Sequence, residues 1–213
     1  MFSGIVTASC RVHSIEQKNG VHRLTLDLTD LTHNLEVGGS VAINGVCLTV
    51  VAIDDMFVGF EVVQATRNLT NLRFLSSGSL VNVERSIRLG DEIGGQVLSG
   101  HIAGVVEVVK AHTSSSESRI EFVVPRLWRK YFHTKGFIAL DGVSLTLAEF
   151  DCESGLGVVN LIPETLRRTT LSTVSTGTLL NFEVDPTTLA VVDTVERMLQ
   201  SVSKTMDRPR PQS

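Results

Sequence analysis

Short runs of alternating apolar and polar residues recur along the chain, and Gly, Asn and Asp separate them. Alternation puts every second side chain on one face of a strand, so that face can be buried while the other meets water. The sequence therefore predicts many short, half-buried β-strands. The clearest runs are residues 22–28, 40–43, 47–53, 57–63 and 118–124.

The chain contains two copies of one pattern. The run Asn-Gly-Val-Cys-Leu-Thr-Val from Asn44 returns as Asp-Gly-Val-Ser-Leu-Thr-Leu from Asp141. Further matches follow in order: residues 3–6 correspond to 99–102, 65–66 to 164–165, 70–72 to 169–171 and 82–84 to 181–183. Collinear matches at a nearly constant offset indicate a duplication. Asn-Gly and Asp-Gly between two strand runs predict type I′ turns.

Each copy holds five or six short strands, which close most naturally as a small antiparallel barrel because closure removes exposed edges. The sequence thus predicts an all-β protein with two tandem barrels. We place the N-terminal barrel at residues 1–97 and the C-terminal barrel at 98–186.

The last segment has a helical pattern instead. Asp185 followed by Pro186 is a typical cap and first helical position. We predict a helix over 187–204, an i,i+4 pair of Asp193 with Arg197, and a disordered tail over 205–213. An apolar stripe either folds back on its own barrel or packs against other copies; it consists of Val191, Val192, Val195, Met198, Leu199 and Val202.

Composition and charge narrow the class of partner. The 42% apolar and 20% charged residues are typical of a globular chain. A net charge of −4 with 5% aromatics argues against nucleic-acid binding, so a small molecule is the expected partner. No export signal or membrane-spanning stretch is evident, which predicts a cytoplasmic location without membrane association.

The three cysteines, Cys10, Cys47 and Cys152, are widely spaced and have no clustered histidines beside them. This pattern predicts neither a disulfide framework nor a metal site. On residue type alone, each is expected to be a small buried hydrophobe.

Equivalent positions of the two repeats carry different side chains. Pockets of one shape with different functional groups can hold the same ligand in two chemical roles, and this is the first indication of function. The mismatched pairs are Ile5 and His101, Gly38 and Lys135, Cys47 and Ser144, and Ala65 and Glu164.

Several motifs in order resemble the riboflavin synthase family. They are Met-Phe-Ser-Gly-Ile-Val at the start, the paired runs from Asn44 and Asp141, Asp-Glu-Ile-Gly-Gly-Gln-Val-Leu-Ser-Gly-His ending at His101, Leu-Ile-Pro-Glu-Thr ending at Thr165, and residues 185–199. The resemblance covers nearly the whole chain.

The resemblance implies two six-stranded Greek-key barrels and a C-terminal helix that assembles a homotrimer. It also implies that two molecules of 6,7-dimethyl-8-ribityllumazine exchange a four-carbon unit, giving riboflavin and 5-amino-6-(ribitylamino)uracil in the final step of riboflavin biosynthesis. No cofactor or metal is expected. Each site would lie between the N-terminal barrel of one subunit and the C-terminal barrel of its neighbour. Association with lumazine synthase is a further expectation.

This chemistry needs a base for the 7-methyl proton, hydrogen bonds for the charge that spreads into the ring, and two rings held face to face. His101 suits the acid–base role, although a structural histidine is the ordinary alternative. Ser144 and Cys47 are expected to polarise or add to the electrophilic ring carbon, against the alternative of simple packing.

Lys135 is expected to contact the polar ligand, Asp185 to serve as both helix cap and site carboxylate, and Phe2 to cover a flat ring; a solvated lysine and a buried phenylalanine are the alternatives. Backbone groups and threonine hydroxyls are expected to do much of the recognition. By matching motif, the ligand cradle comprises Gly4, Ile5, Val6, Cys47, Leu48, Thr49, Glu61, Val62, Val63, Gln64, Ala65, Thr66, Gly100, His101, Ile102, Lys135, Ser144, Leu145, Thr146, Leu161, Ile162, Pro163, Glu164 and Thr165.

Some positions depart from the family pattern. Ser3 stands for a usual Thr, Gln96 for a frequent His, and Ala65 with Asn68 disturbs the first copy of the motif that contains Glu164. The missing carboxylate at Ala65 would retune the N-terminal pocket. The side chains of the other half, His101, Lys135, Ser144 and Glu164, are intact.

Two rival functions remain open. A lumazine- or flavin-binding carrier of the same family would keep the fold and lose catalytic side chains, whereas Cys47, His101, Lys135, Ser144 and Asp185 are retained here. A two-barrel flavin reductase would need a Gly-x-Gly-x-x-Gly turn between a strand and a helix, which the sequence lacks.

Overall fold

The computed structural model describes residues 1–18, 20–113 and 118–206. In this part of the chain, two closed antiparallel barrels are followed by one long helix. The prediction of an all-β protein with two tandem barrels is confirmed. The limits 1–97 and 98–186 stay a prediction, and residues 207–213 of the predicted tail lie outside the described residues.

The first barrel is built from β1 (Ala8–Lys18), β2 (Val21–Asp27), β3 (Ser40–Ile43), β4 (Val46–Asp54), β5 (Phe57–Val62) and β6 (Leu80–Arg85). Its strand order is β1-β2-β5-β4-β3-β6, closed by pairing of β1 with β6. A short helix, α1 (Gln64–Leu69), follows β5. Alternation works as predicted: in β2 the side chains of Leu24 and Leu26 enter the core while Arg23 is exposed.

The second barrel repeats this arrangement with β7 (Gly104–Thr113), β8 (Ser118–Val123), β9 (Phe137–Leu140), β10 (Val143–Phe150), β11 (Leu156–Leu161) and β12 (Leu179–Glu183). Its order, β10-β11-β8-β7-β12-β9, gives the same neighbours as in the first barrel. The helix α2 (Pro163–Arg168) follows β11, as α1 follows β5. The duplication seen in the sequence is therefore a duplication of fold.

The two predicted type I′ turns meet between the barrels. Asn44 and Gly45 have φ of 45° and 78°, and Asp141 and Gly142 have 44° and 80°. Both central residues of each turn thus have the positive φ that this turn type requires. A Cβ on Gly45 would lie only 2.8 Å from the nitrogen of Gly142, so the two turns are packed directly against each other.

Buried amides tie the two turns to the opposite barrels. Asn82 on β6 donates through Nδ2 to the carbonyl of Asp141 over 2.9 Å, and Asn181 on β12 donates in the same way to the carbonyl of Asn44. Asn71 donates through Nδ2 to the Asp141 carboxylate over 2.8 Å. All of these side chains are buried, so the barrels are joined by a satisfied polar network.

The C-terminal helix α3 spans Pro186–Met206, whereas the sequence predicts 187–204. Asp185 caps it, accepting from the amide of Thr188 over 2.7 Å. Its apolar residues divide between two surroundings. Leu189 and Val192 pack on the second barrel, whereas Val191, Val195, Met198 and Leu199 are exposed.

The predicted pair of Asp193 with Arg197 is wrong. The carboxylate of Asp193 instead accepts from the hydroxyl of Tyr131, and Arg197 donates to the backbone carbonyl of Asp193. The reason is that Asp193 faces the second barrel rather than water. No described helix is long and apolar enough to cross a membrane.

Candidate active site

Each barrel is preceded by a leader segment, which we define as residues 1–6 for the first barrel and 97–102 for the second. The leaders pair with each other: Phe2 N donates to Leu98 O over 2.8 Å, and Leu98 N donates to Phe2 O over 2.9 Å. They then cross, because Val6 packs in the core of the second barrel and Ile102 in the core of the first. Each leader therefore contributes a residue to the core of the opposite barrel.

The first half-site lies on the outer face of β4. Leu48 points into the core, so Cys47 and Thr49 face outward; Cys47 is half-buried and Thr49 exposed. The amide of Cys47 donates to the carbonyl of Gly100 over 3.0 Å. A Cβ at Gly100, whose φ is +79°, would lie 2.5 Å from Cβ of Cys47, so this close approach requires glycine. The next residue, His101, is exposed beside Cys47.

The second half-site repeats this geometry on β10. Ser144 is half-buried and Thr146 exposed, as at the equivalent positions of β4. The amide of Ser144 donates to the carbonyl of Gly4 over 2.9 Å, and a Cβ at Gly4 would lie 2.5 Å from Cβ of Ser144. The exposed residue that follows here is Ile5.

In the sequence, His101 belongs to the same half as Lys135, Ser144 and Glu164, but in the fold it lies on the opposite barrel. The crossing of the leaders places His101 with Cys47 on the first barrel and Ile5 with Ser144 on the second. Position in the sequence misleads here because the leader that precedes a barrel packs on the other one.

Two buried glutamates hold the leaders in place. Glu183, at the end of β12, accepts through Oε1 from the amide and hydroxyl of Ser99 over 2.7 and 2.6 Å, and through Oε2 from the amide of Gly100 over 3.1 Å. Glu84 on β6 accepts from Ser3 and Gly4 over 2.6, 2.8 and 3.1 Å in the same pattern. Burial raises the pKa of both carboxyls, against the opposing effect of these donors.

The ends of β5 and β11 and the segments that follow them carry further predicted residues, and their polar groups differ between the two copies. In the first, Gln64 bonds to Asn68 over 2.7 Å and to the buried ring of His22 over 3.1 Å. In the second, Glu164 pairs with Arg167 and Arg168. These cations hold the pKa of the Glu164 carboxyl below its usual range through their hydrogen bonds. The remaining side chains here are exposed or half-buried, namely Glu61, Val63, Ala65, Thr66, Ile162, Pro163 and Thr165.

Three predicted catalytic residues have evident structural surroundings. Phe2 is 1% exposed and packs with Ala42, Leu98 and Ala139 behind the leaders, so its ring has no free face. Lys135 is exposed, with φ of +70°, at the entry to β9, and Asp185 is half-buried as the cap of α3.

Other predicted contacts are possible only through the backbone, because the side chains are buried in the barrel cores. These residues are Val6, Leu48, Val62, Ile102, Leu145 and Leu161. This fits the expectation that strand-end N–H and C=O groups contribute to recognition.

The half-sites are not enclosed within one chain. A cavity of about 640 Å³ adjoins Ser3, Ile5 and Glu84, and one of about 700 Å³ lies between the barrels. Neither of these cavities is lined by Cys47 or Ser144. Among the described residues, no cluster of His, Cys, Asp or Glu could hold a metal ion.

The cysteines divide by environment. Burial, aided by Asp27 and Asp30, raises the pKa of the Cys10 thiol to about 11, so it is unreactive at neutral pH. Cys152 is exposed, and the expectation of a buried position is wrong for it. Cys47 is half-buried in the first half-site.

Sequence reasoning missed three buried residues that contact predicted site residues or their leaders: Glu84, Glu183 and His22. The glutamates belong to the repeated Asn-x-Glu at 82–84 and 181–183, which the sequence showed as a strand match only. His22 gave no signal, because its partner Gln64 lies 42 positions away.

Comparison with known proteins agrees with this architecture. The profile of the lumazine binding domain matches residues 3–86 and 99–185. "Riboflavin synthase" of Escherichia coli (strain K12) is 44% identical over 211 residues, covering 98% of each chain. "Riboflavin synthase" of Chlamydia pneumoniae is 38% identical over 205 residues, covering 96% of this chain and all of the relative.

Solved structures give the same fold. The crystal structure of LumP complexed with riboflavin has a TM-score of 0.80 at 27% identity, and the complex with 6,7-dimethyl-8-(1'-D-ribityl) lumazine has 0.78 at 26%. Each comparison covers 86% of this chain and 99% of LumP. With curated relatives similar over nearly their whole length and a lumazine binding domain in each half, the chain belongs to the riboflavin synthase family.

Proposed function

We propose that this chain is a riboflavin synthase. Two molecules of 6,7-dimethyl-8-ribityllumazine bind as unequal partners; one gives up a four-carbon unit and leaves as 5-amino-6-(ribitylamino)uracil, and the other receives the unit and becomes riboflavin. The observation that carries the proposal is the pair of half-sites with one backbone geometry and different side chains, His101 with Cys47 and Ile5 with Ser144. The equivalent backbone geometry lets both half-sites bind the same heterocycle, and the different side chains give the two bound molecules different roles.

The residues divide the work as follows. His101 exchanges the proton of a lumazine 7-methyl group, since its exposed imidazole follows the fixed turn at Gly100. Cys47 and Ser144 present a thiol and a hydroxyl at equivalent positions, where each can polarise the ring carbon. Lys135 and the threonines at 49, 66, 146 and 165 supply hydrogen bonds to polar groups of the ligand. Asp185 adds its second carboxylate oxygen to the site while it caps α3.

We assign Phe2 the supporting role of a wall behind Gly100. A Cβ at Gly100 would lie 3.0 Å from Cε2 of Phe2, so the ring braces the turn that presents His101. This replaces ring covering as the expected contribution of Phe2.

Purified protein mixed with the lumazine alone tests the function, with riboflavin followed by absorbance. We expect product without any added cofactor, and we expect His101→Gln to lower kcat by about 100-fold or more while ligand binding persists. Ile5→Gln at the equivalent position is the matched comparison and should act mainly on KM. Tight binding of the lumazine with no product would favour the carrier function instead.

We further propose a homotrimer in which the N-terminal barrel of one subunit faces the C-terminal barrel of its neighbour. The half-sites are open faces of a single chain, and α3 exposes Val191, Val195, Met198 and Leu199. Such a stripe on a helix that is already docked through Leu189 and Val192 is typical of a protein interface.

Sedimentation tests the trimer. Truncation after Asp185 should release monomers, and Val195→Lys should do so without removing the helix. Gln200→Lys, at an exposed polar position of the same helix, is the control. An unchanged trimer mass in both the truncated chain and Val195→Lys would exclude α3 from assembly.

A cytoplasmic location and an association with lumazine synthase complete the proposal. Both agree with an enzyme of riboflavin biosynthesis. Co-sedimentation of the two purified enzymes tests the association, and separate migration at micromolar concentrations would argue against it.

A further inference from the structure

The two leaders are gripped by equal carboxylates but present unequal residues. The Ser99 hydroxyl connects Glu183 to His101, since it donates to the carboxylate and also accepts from the amide of His101 over 3.2 Å. In the other half, the hydroxyl of Ser3 accepts from the amide of Ile5 over 3.3 Å. The chain thus contains the same glutamate–serine–amide arrangement twice, once next to the imidazole of His101 and once next to the aliphatic side chain of Ile5.

The hydrogen bonds to Glu183 fix the backbone next to His101 from one side, and the hydrogen bond from β4 fixes it from the other. The amide of Gly100 donates to Glu183 while its carbonyl accepts from Cys47. The peptide groups around Gly100 are therefore held between β12 of the second barrel and β4 of the first. His101 is exposed, and within the described part of the chain its backbone amide makes the hydrogen bond to Ser99, so the backbone determines where the imidazole begins.

We propose that Glu183 is a positioning residue that sets His101 against Cys47 in the first half-site. Glu84 does the same for Ile5 in the second half-site, where no proton is exchanged. The kinetic consequence of losing the grip should therefore differ between the halves even though the lost hydrogen bonds are the same.

Electrostatics distinguishes the two glutamates in the same sense. Burial raises the pKa of Glu183, and the neighbouring His101 opposes this rise; among the described residues, no charged side chain is a cause of the shift at Glu84.

Glu183→Gln and Glu84→Gln form the matched pair that tests this proposal. Both substitutions keep the side-chain volume and remove one charge. Each also replaces one carboxylate oxygen, which accepts from the leader, by an amide nitrogen, which cannot accept. We expect Glu183→Gln to lower kcat by about 10- to 100-fold, as for a catalytic group displaced by a fraction of an ångström. Glu84→Gln should act mainly on KM, because Ile5 only contacts ligand.

A spectroscopic readout separates this proposal from the proposed function. In imidazole-labelled protein, the NMR resonance of His101 should move in Glu183→Gln and stay in place in Glu84→Gln, whether or not riboflavin forms. A parent protein without turnover would refute the function while this comparison still decides the positioning. A turning-over parent with equal kcat losses in the two variants, or with an unmoved His101 resonance in Glu183→Gln, would overturn the positioning role.

If either glutamine variant does not fold, Ser99→Ala and Ser3→Ala replace the pair. Each removes only the hydroxyl between carboxylate and amide, and Ser99→Ala alone should lower kcat and move the His101 resonance. Equal effects of the two alanine variants would overturn the proposal.

Discussion

Asp141→Asn should make the protein more stable above neutral pH and remove part of its pH dependence. Burial raises the pKa of the Asp141 carboxyl from 3.8 to about 7, against the hydrogen bonds that it accepts from Asn181 and Asn71. The equivalent residue of the first repeat is Asn44, so the fold already accommodates an amide in this turn.

The sign follows from where the proton is bound. Below pH 3.8 the folded and unfolded states both hold it, and between 3.8 and about 7 only the folded state does. The free energy of unfolding therefore falls as pH rises through this window and levels off above it. A shift of about three pKa units corresponds to ~4 kcal/mol at most.

Urea unfolding of the parent and of Asp141→Asn at pH 5 and pH 8 measures this effect, at one protein concentration because assembly also contributes. Glu84 and Glu183 have raised pKa values as well and add a slope of the same sign, but they are common to both proteins and cancel in the difference. Asn44→Asp should steepen the slope. Equal pH dependence of parent and Asp141→Asn would refute the reasoning.

Three other substitutions follow from packing. Gly100→Ala should abolish turnover and destabilise the protein, because the new Cβ would meet Cys47. Gly78→Ala is the control for backbone strain alone, since Gly78 has φ of +89° and nothing within 4 Å of the added Cβ. Equal losses of thermal stability in the two variants would contradict this reasoning. Gln96→Met should raise stability by ~1–3 kcal/mol in urea unfolding, since Gln96 is 6% exposed and neither of its amide atoms has a hydrogen-bond partner among the described residues. Phe2→Ala should cost about 3–5 kcal/mol in the same assay, and a loss below 1 kcal/mol would show that the ring is not the wall described here.

Local patterns predicted the strands well because each strand is specified by its own alternation. The run 40–43 coincides with β3 (Ser40–Ile43), and the run 57–63 differs from β5 (Phe57–Val62) by one residue. The two type I′ turns were predictable for the same reason, since Asn-Gly and Asp-Gly carry their backbone preference with them. The strand order is not local, and no local pattern predicted it; the resemblance implied only that the barrels are Greek keys.

The contents of the half-sites were predicted better than their grouping. Cys47 and Ser144 lie at equivalent places, as the repeat indicated, but the partner of each is set by contacts across the whole chain. The prediction for Asp193 was wrong for the same reason. The helical spacing indicated Arg197 as its partner, but its carboxylate accepts from Tyr131, which lies 62 residues away. Tertiary packing decided both cases, and no local pattern records it.

The crossed leaders make each barrel depend on the other repeat. A chain that ended at residue 97 would keep all six strands of the first barrel but lose Ile102 from its core and the carbonyl of Gly100 that satisfies Cys47. Val6 would lose the second barrel in which it is buried. The twin half-sites are therefore not two independent binding domains placed in series. Because each is assembled from both repeats, the difference between His101 and Ile5 can give two equal frames unequal roles without any change in the barrels themselves.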